Sequence, residues 1–143
     1  MANEIKKVAV LGAGVMGSGI AAHLANAGIP SLLFDLERPT AAVKGLVKWK
    51  PAPLFSKGAG AWIEPASFSE DIGRLSEVQW VVEAVTERLD IKQKVFAQVI
   101  EHAGEDTIVT SNTSGIPISQ MVEGTDLSFR RRFFVTHFFN PVR

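Results

Sequence analysis

The chain has no cysteine, which excludes disulfide cross-links and thiolate chemistry and leaves the redox compartment open. Its 15 Lys and Arg balance 15 Asp and Glu, so no charge excess marks a nucleic-acid or anionic-membrane partner. No apolar run approaches the length of a membrane span, and the opening MANEIKKVAV lacks the apolar stretch of a secretory signal. A soluble, cytoplasmic domain is expected. His23, His102 and His137 show no metal-ligand spacing, so no metal site is expected. What remains is 143 residues of 46% hydrophobic content, enough for one domain, residues 1–143, with a real core. The sequence stops at Asn140-Pro141-Val142-Arg143, directly after an apolar run, which reads as a cut within a longer protein.

The most informative stretch is VAVLGAGVMGSG, Val8 to Gly19. An apolar run enters Gly12-x-Gly14-x-x-Gly17, and an apolar-periodic segment follows: a buried strand, a tight glycine turn and a helix N-terminus. Gly12 permits the sharp turn, Gly14 lets a pyrophosphate approach the backbone, and Gly17 lets helix and sheet pack closely. The unpaired N–H groups of the helix's first turn favour a phosphate. Glycine turns of this kind also occur as plain strand-to-helix connections. The second signal is Asp35, which closes an apolar run, Ser31 to Phe34, at the spacing of a ribose-binding acid. Its charge would accept the adenosine ribose hydroxyls and repel a 2′-phosphate, which favours NAD over NADP. Arg38 complicates that choice, although a solvated arginine is the simpler reading.

Along the chain, strands alternate with helices. Strand one is expected from Lys7 to Leu11, then a helix carrying Met16, Ile20, Ala21, Leu24 and Ala27, ended by Gly28 and Pro30. Strand two is Ser31 to Phe34. Pro39 opens a helix with Val43, Leu46 and Val47, which Pro51 and Pro53 terminate. Pro51 to Ser69 reads as a loop or frayed helical insertion that brings Phe68 onto a short strand. Its SKGAG turn lacks the GK[ST] of a phosphate-binding loop. Ser69-Glu70-Asp71 is expected to cap a short helix to Leu75, followed by a strand from Val78 to Val85. Leu89 to His102 is an amphipathic helix, Thr107 to Thr110 a strand and Ile118 to Val122 a short helix. The polar EGTD turn then leads to a last strand, Arg132 to Phe138. This alternation predicts an α/β, Rossmann-like, doubly wound parallel sheet.

Ligands bind such sheets at the carboxyl ends of their strands. Four polar sets are expected there: Asp35; Glu83 and Glu87; Ser111 to Ser114; and His137 to Asn140. Lys92 either pairs with Glu87 or lies on a solvated helix face. Ser114 fits a donor to a substrate oxygen and equally an ordinary turn or N-cap. His137 is a candidate base for a hydroxyl proton, or a satisfied core histidine on an apolar strand. Arg130-Arg131-Arg132 could grip phosphate, or form a solvated rim.

Taken together, GAGVMGSGIA, Asp35, VVEAVTERLDIKQKVF, SNTS and HFFNPV resemble the NAD-binding domain of L-3-hydroxyacyl-CoA dehydrogenases along nearly the whole chain. The pairing of HFFNPV with SNTS at this separation is the specific part. The resemblance implies NAD-dependent oxidation of the 3-hydroxyl of a fatty acyl-CoA to a ketone. By position it places Gly12, Gly14, Met16 and Gly17 at the pyrophosphate and Asp35 on the adenosine ribose. Val85, Thr86, Glu87 and Lys92 would contact the cofactor around the ribose and nicotinamide, with Asn140 at the nicotinamide end. Ser114 would bond the reacting oxygen and His137 would be the general base.

The resemblance also implies a glutamate that orients this histidine, beyond Arg143. A helical C-terminal domain would close over the acyl chain and make a homo-oligomer. On that basis residues 1–143 alone are expected to bind NAD without turning over. KPAPLFS and SNTSGIP look like the longer forms fused to an enoyl-CoA hydratase. Two other readings compete. Another Rossmann β-hydroxyacid dehydrogenase shares the glycine pattern, but HFFNP argues against it. A non-catalytic dinucleotide-binding module would not need Ser114 or His137.

Overall fold

The computed structural model describes residues 4–142; residues 1–3 and 143, the ends of the expected domain, lie outside them. Six strands form one sheet in the order β3-β2-β1-β4-β5-β6, every neighbouring pair parallel. They are β1 (Val8–Leu11), β2 (Ser31–Asp35), β3 (Ile63–Ser67), β4 (Trp80–Glu83), β5 (Ile108–Ser111) and β6 (Phe133–Val135). This is the strand order of a doubly wound dinucleotide-binding sheet, and the order reverses between β1 and β4. The predicted fold class is therefore the observed one.

The central strand explains the architecture. All four residues of β1 are buried, as a parallel strand covered on both faces requires. Val8 and Val10 face a layer that includes Ile20, Ala21 and Leu24 of α1 (Val15–Asn26), with Leu33 and Val82 from the neighbouring strands. Ala9 and Leu11 face the opposite layer, built from Phe34, Val81 and Val109 with Val95, Phe96 and Val99 of α4 (Leu89–His102). Each large apolar side chain buried in these layers contributes about 1.5–3 kcal/mol. Phe96, Phe129 and Phe133 form an aromatic cluster beneath β5 and β6, with ring centroids 5.1–6.1 Å apart.

The shorter helices are α2 (Thr40–Gly45), α3 (Phe68–Asp71), α5 (Ile118–Met121) and α6 (Leu127–Arg131). Among the described residues no helix is long and apolar enough to cross a membrane.

Several boundaries differ from expectation. In the irregular Pro51–Ser69 stretch, Lys57–Trp62 forms a 3₁₀ helix, and Ala59 within it and Leu54 before it cover part of the α1 layer. Asn26 fastens this segment: its Nδ2 donates to Pro53 O at 2.8 Å and its Oδ1 accepts the Phe55 N–H at 2.9 Å. Phe68 is not on the strand; β3 ends at Ser67, and Phe68 opens α3. Ser67, rather than Ser69, is the cap, because its Oγ accepts the Glu70 N–H. The strand expected over Val78 to Val85 pairs only from Trp80 to Glu83.

Lastly, β6 covers Phe133 to Val135, not Arg132 to Phe138, and α6 precedes it. Asp126 caps α6 by accepting the Phe129 N–H at 2.8 Å, so part of the EGTD turn is a helix start. Of the arginine run, Arg132 is no simple solvated rim. It lies 5.5 Å from the Phe129 ring centroid and donates to the carbonyls of Gly104 and Thr107, with burial pulling its pKa below the usual arginine value.

Candidate dinucleotide site

The glycine turn is fixed by backbone sterics. Gly12 has φ +102°, and a Cβ there would stand 2.6 Å from the Ala84 carbonyl oxygen. A Cβ on Gly17 would stand 1.7 Å from Gly12 O, so the start of α1 lies against the turn itself. Gly14 differs: no protein atom lies within 4 Å of where its Cβ would be. Only Gly14 of the three faces open space, as expected of a backbone left bare for a ligand. Gly14 is also the N-cap of α1, with no side-chain cap bond and no acidic residue in the first turn. The donors there are left to an anion, which the helix dipole favours.

A groove of about 970 Å³ runs over this turn. Gly12, Gly14, Met16, Asp35, Val85 and Thr86, all expected at a cofactor, line it. Asp35 is oriented by the backbone, its Oδ2 accepting the Ala13 N–H at 3.2 Å and its Oδ1 the Leu36 N–H at 2.8 Å. The carboxylate thus ties the end of β2 to the glycine turn. The other wall was not anticipated: Leu36 and Phe68 together with Ile91, Lys94 and Gln98 of α4. The spacing of those three α4 residues is one stripe of a helix face, but only the buried stripe of α4 was evident from its amphipathic pattern. The open glycine cradle, the uncapped helix start and the oriented acid together fit a dinucleotide.

The carboxyl ends of β4, β5 and β6 carry the other expected residues. Backbone bonds stitch these ends together: Ala84 N–H to Leu11 O, Asn112 N–H to Glu83 O and Thr136 N–H to Ser111 O, at 2.7–3.1 Å. Glu83 is fully buried and saturated. It accepts from Lys92 Nζ at 2.7 Å, the Val85 N–H at 2.7 Å and Ser111 Oγ at 2.5 Å. Lys92 is neither a solvated helix residue nor chiefly a Glu87 partner: its side chain is fully buried against Glu83, with Glu87 at 4.0 Å. It supports the floor below Val85, whose carbonyl it also approaches at 3.4 Å. Glu87 is exposed at the mouth and accepts a short hydrogen bond from Thr113 Oγ1.

Ser114 is exposed on the loop after β5. In the same loop Asn112 Oδ1 accepts the Phe138 N–H at 2.9 Å, pinning the His137-Phe138-Phe139 segment to the SNTS segment. His137 is exposed beyond β6 and is therefore no core histidine; its ring lies tilted against that of Phe139, centroids 4.9 Å apart. Asn140 lines a separate hollow of about 440 Å³ with Val15 and Gly19. Val15 borders both spaces. Ser114, His137, Glu87 and Asn140 do not line the groove itself. Among the described residues no group of three or more His, Asp or Glu could hold a metal ion.

Comparison with known proteins agrees with this geometry. Residues 7–143 match the family described as 3-hydroxyacyl-CoA dehydrogenase, NAD binding domain. A Bacillus subtilis protein described as a probable 3-hydroxyacyl-CoA dehydrogenase is 44% identical over 166 residues, covering 100% of this chain and 21% of that protein. The fatty acid oxidation complex subunit alpha of Acinetobacter baumannii is 35% identical over 150 residues, covering 99% of this chain and 20% of that protein. In three dimensions the chain resembles the crystal structure of 3-hydroxybutyryl-CoA dehydrogenase from Escherichia coli K12. The TM-score is 0.83 at 31% identity, covering 98% of this chain and 31% of that one. The chain therefore spans about a fifth of the two curated relatives. It belongs to the NAD-binding domain family of the 3-hydroxyacyl-CoA dehydrogenases.

Proposed function

We propose that this chain is the NAD-binding domain of an enzyme that oxidises L-3-hydroxyacyl-CoA to 3-oxoacyl-CoA in fatty-acid β-oxidation. The observation that carries the reading is the groove itself, where an open Gly14 and an oriented Asp35 face the same space at the carboxyl edge of the sheet. Bound there, NAD supplies the acceptor for the substrate's hydride.

The protein's own residues hold and orient. Gly12, Gly14, Met16 and Gly17 form the pyrophosphate cradle, and Asp35 accepts the adenosine ribose hydroxyls. Val85, Thr86 and Glu87 flank the nicotinamide half, with Lys92 setting their height from below. Asn140 holds the nicotinamide end. Ser114 donates a hydrogen bond to the reacting oxygen, and His137 takes the hydroxyl proton. The loop that carries Ser114 also holds the His137 segment through Asn112, which supports a single reacting centre. Hydride loss at carbon and proton loss at oxygen are then separated between cofactor and imidazole.

Residues 1–143 form one such domain, and the complete protein is a cytoplasmic homo-oligomer in which a further glutamate orients His137. The zero net charge and the absence of a long apolar helix among the described residues suit that setting. NADH titration of the chain followed by fluorescence tests the cofactor, and NADH-dependent reduction of acetoacetyl-CoA by the complete protein tests the reaction.

A further inference from the structure

Beside the cofactor groove lies a smaller hollow of about 350 Å³, lined by Leu36, Glu37, Arg38, Ser67, Ser69 and Glu70. Leu36 borders both spaces, so the hollow opens next to Asp35, at the adenosine-ribose end. An arginine just after the ribose-binding acid is the residue that accommodates a 2′-phosphate in NADP-binding sheets. Arg38 occupies that place in sequence, yet its guanidinium is already committed. Its Nε and Nη2 donate to the two carboxylate oxygens of Asp71 at 3.0 and 3.1 Å, and Nη2 lies 2.8 Å from Glu70 Oε2.

We propose that Arg38 is a cofactor-specificity residue held away from a 2′-phosphate by Asp71 and Glu70, which makes the adenosine end selective for NAD. The inference rests on the dinucleotide reading of the groove.

The clamp is built, not incidental. The fork of Arg38 meets Asp71 bidentately, the strongest geometry for such a pair. Asp71 is itself fixed, because Oδ2 also accepts the Ser67 N–H at 2.8 Å and the side chain is only 13% exposed. The guanidinium and that backbone bond hold its carboxyl at a pKa of about 2, so it is charged at neutral pH. Arg74, whose charge also reaches Asp71, is occupied by Glu64 and Glu77.

Four carboxylates, Asp35, Glu37, Glu70 and Asp71, therefore surround this end with one arginine among them. A phosphate monoester brings nearly two further negative charges and must displace Asp71 to reach the guanidinium. NAD, with a hydroxyl at that position, meets no such barrier.

The test is fluorescence titration of the full chain with NADH and with NADPH, comparing wild type, Asp71→Asn, Glu70→Gln, their combination, and the combination with Arg38→Ala. Asn at 71 keeps an oxygen for the Ser67 N–H, and Glu70 is exposed, so NADH binding reports a folded site in each variant. The ratio of NADPH to NADH dissociation constants is expected to fall by on the order of tenfold in the combined variant, the scale of a charge-assisted pair gained. The fall should be smaller in each single variant and should vanish once Arg38→Ala is added. An unchanged ratio overturns the clamp, and so does a fall that survives Arg38→Ala, which would reflect lost negative charge alone. Wild type that binds neither dinucleotide would instead overturn the reading of the groove.

Discussion

The ammonium of Lys92 lies 2.7 Å from Oε2 of Glu83, and neither side chain is exposed to solvent. Glu83 ends β4 and Lys92 sits in the first turns of α4. The pair therefore locks the loop between them, Ala84 to Arg88, whose first three residues line the groove. Ser111 Oγ completes the cluster from β5. Buried pairs of this kind add little net stability compared with apolar packing, but leaving one partner behind is costly.

Lys92→Met should therefore destabilise the fold by about 3–5 kcal/mol, since it strands a buried carboxylate. Combining it with Glu83→Leu should recover much of that loss. Urea denaturation of the two single variants and the double variant measures this. Additive losses in the double variant would mean that the ion pair does not organise the loop.

The two helix-side glycines should separate folding from binding. Gly17→Ala places a Cβ on the Gly12 carbonyl and should impair folding, visible as a lowered thermal midpoint. Gly14→Val meets no protein atom in its first sphere and should keep its midpoint while losing NADH binding. A Gly14→Val chain that binds NADH normally would move the phosphate cradle elsewhere.

Asp35→Ala removes an acceptor for ribose hydroxyls, and NADH binding should weaken by about 1–3 kcal/mol, the range for hydrogen bonds to a charged group. Because Asp35 also accepts the Ala13 and Leu36 N–H groups, Asp35→Asn is the gentler comparison. Isothermal calorimetry on both variants should show a loss in each, larger in Ala. An unaltered affinity in Asp35→Ala would contradict its assignment to the ribose.

Acid should weaken the fold through a second ionic cluster. Arg74 and Lys7 bind Glu77 and hold its pKa at about 2. A carboxylate whose pKa is depressed on folding stabilises the native state above its unfolded pKa, and this is lost as pH falls through the folded one. Glu77→Gln should thus cost at most about 1 kcal/mol at neutral pH, given its exposure. The difference from wild type should shrink between about pH 4 and 2. Denaturation at a series of pH values would reveal a pH-independent difference if the ion pairs contribute nothing.

The strand-turn-helix core and the Asp35 position were legible because each depends on local chemistry: apolar runs, glycines at fixed offsets, and an acid closing a strand. The α4 limits fall where its periodicity begins and ends, Leu89 and His102. The rest depended on contacts distant in sequence. Lys92 reads as a surface residue until Glu83, nine positions earlier, is placed beneath α4. Arg38 reads as solvated until Asp71, 33 positions on, folds beside it. The α6 helix escaped because its five residues carry no periodicity and its cap, Asp126, sits inside a turn-like EGTD. The sequence carries the last strand through His137, because Phe138 and Phe139 extend the apolar run, yet pairing ends at Val135.

The central claim is that a hydroxyl is oxidised at the end of this groove with His137 taking its proton. It is tested most directly by steady-state reduction of acetoacetyl-CoA with NADH, comparing the complete protein, the same protein with His137→Gln, and the 143-residue chain. The complete protein should turn over. His137→Gln should bind NADH as before yet lose roughly 10²–10⁴ in kcat, the usual worth of a positioned acid or base. The chain alone should bind NADH and turn over far more slowly than the complete protein. Near-full activity in the His137→Gln protein would contradict the account.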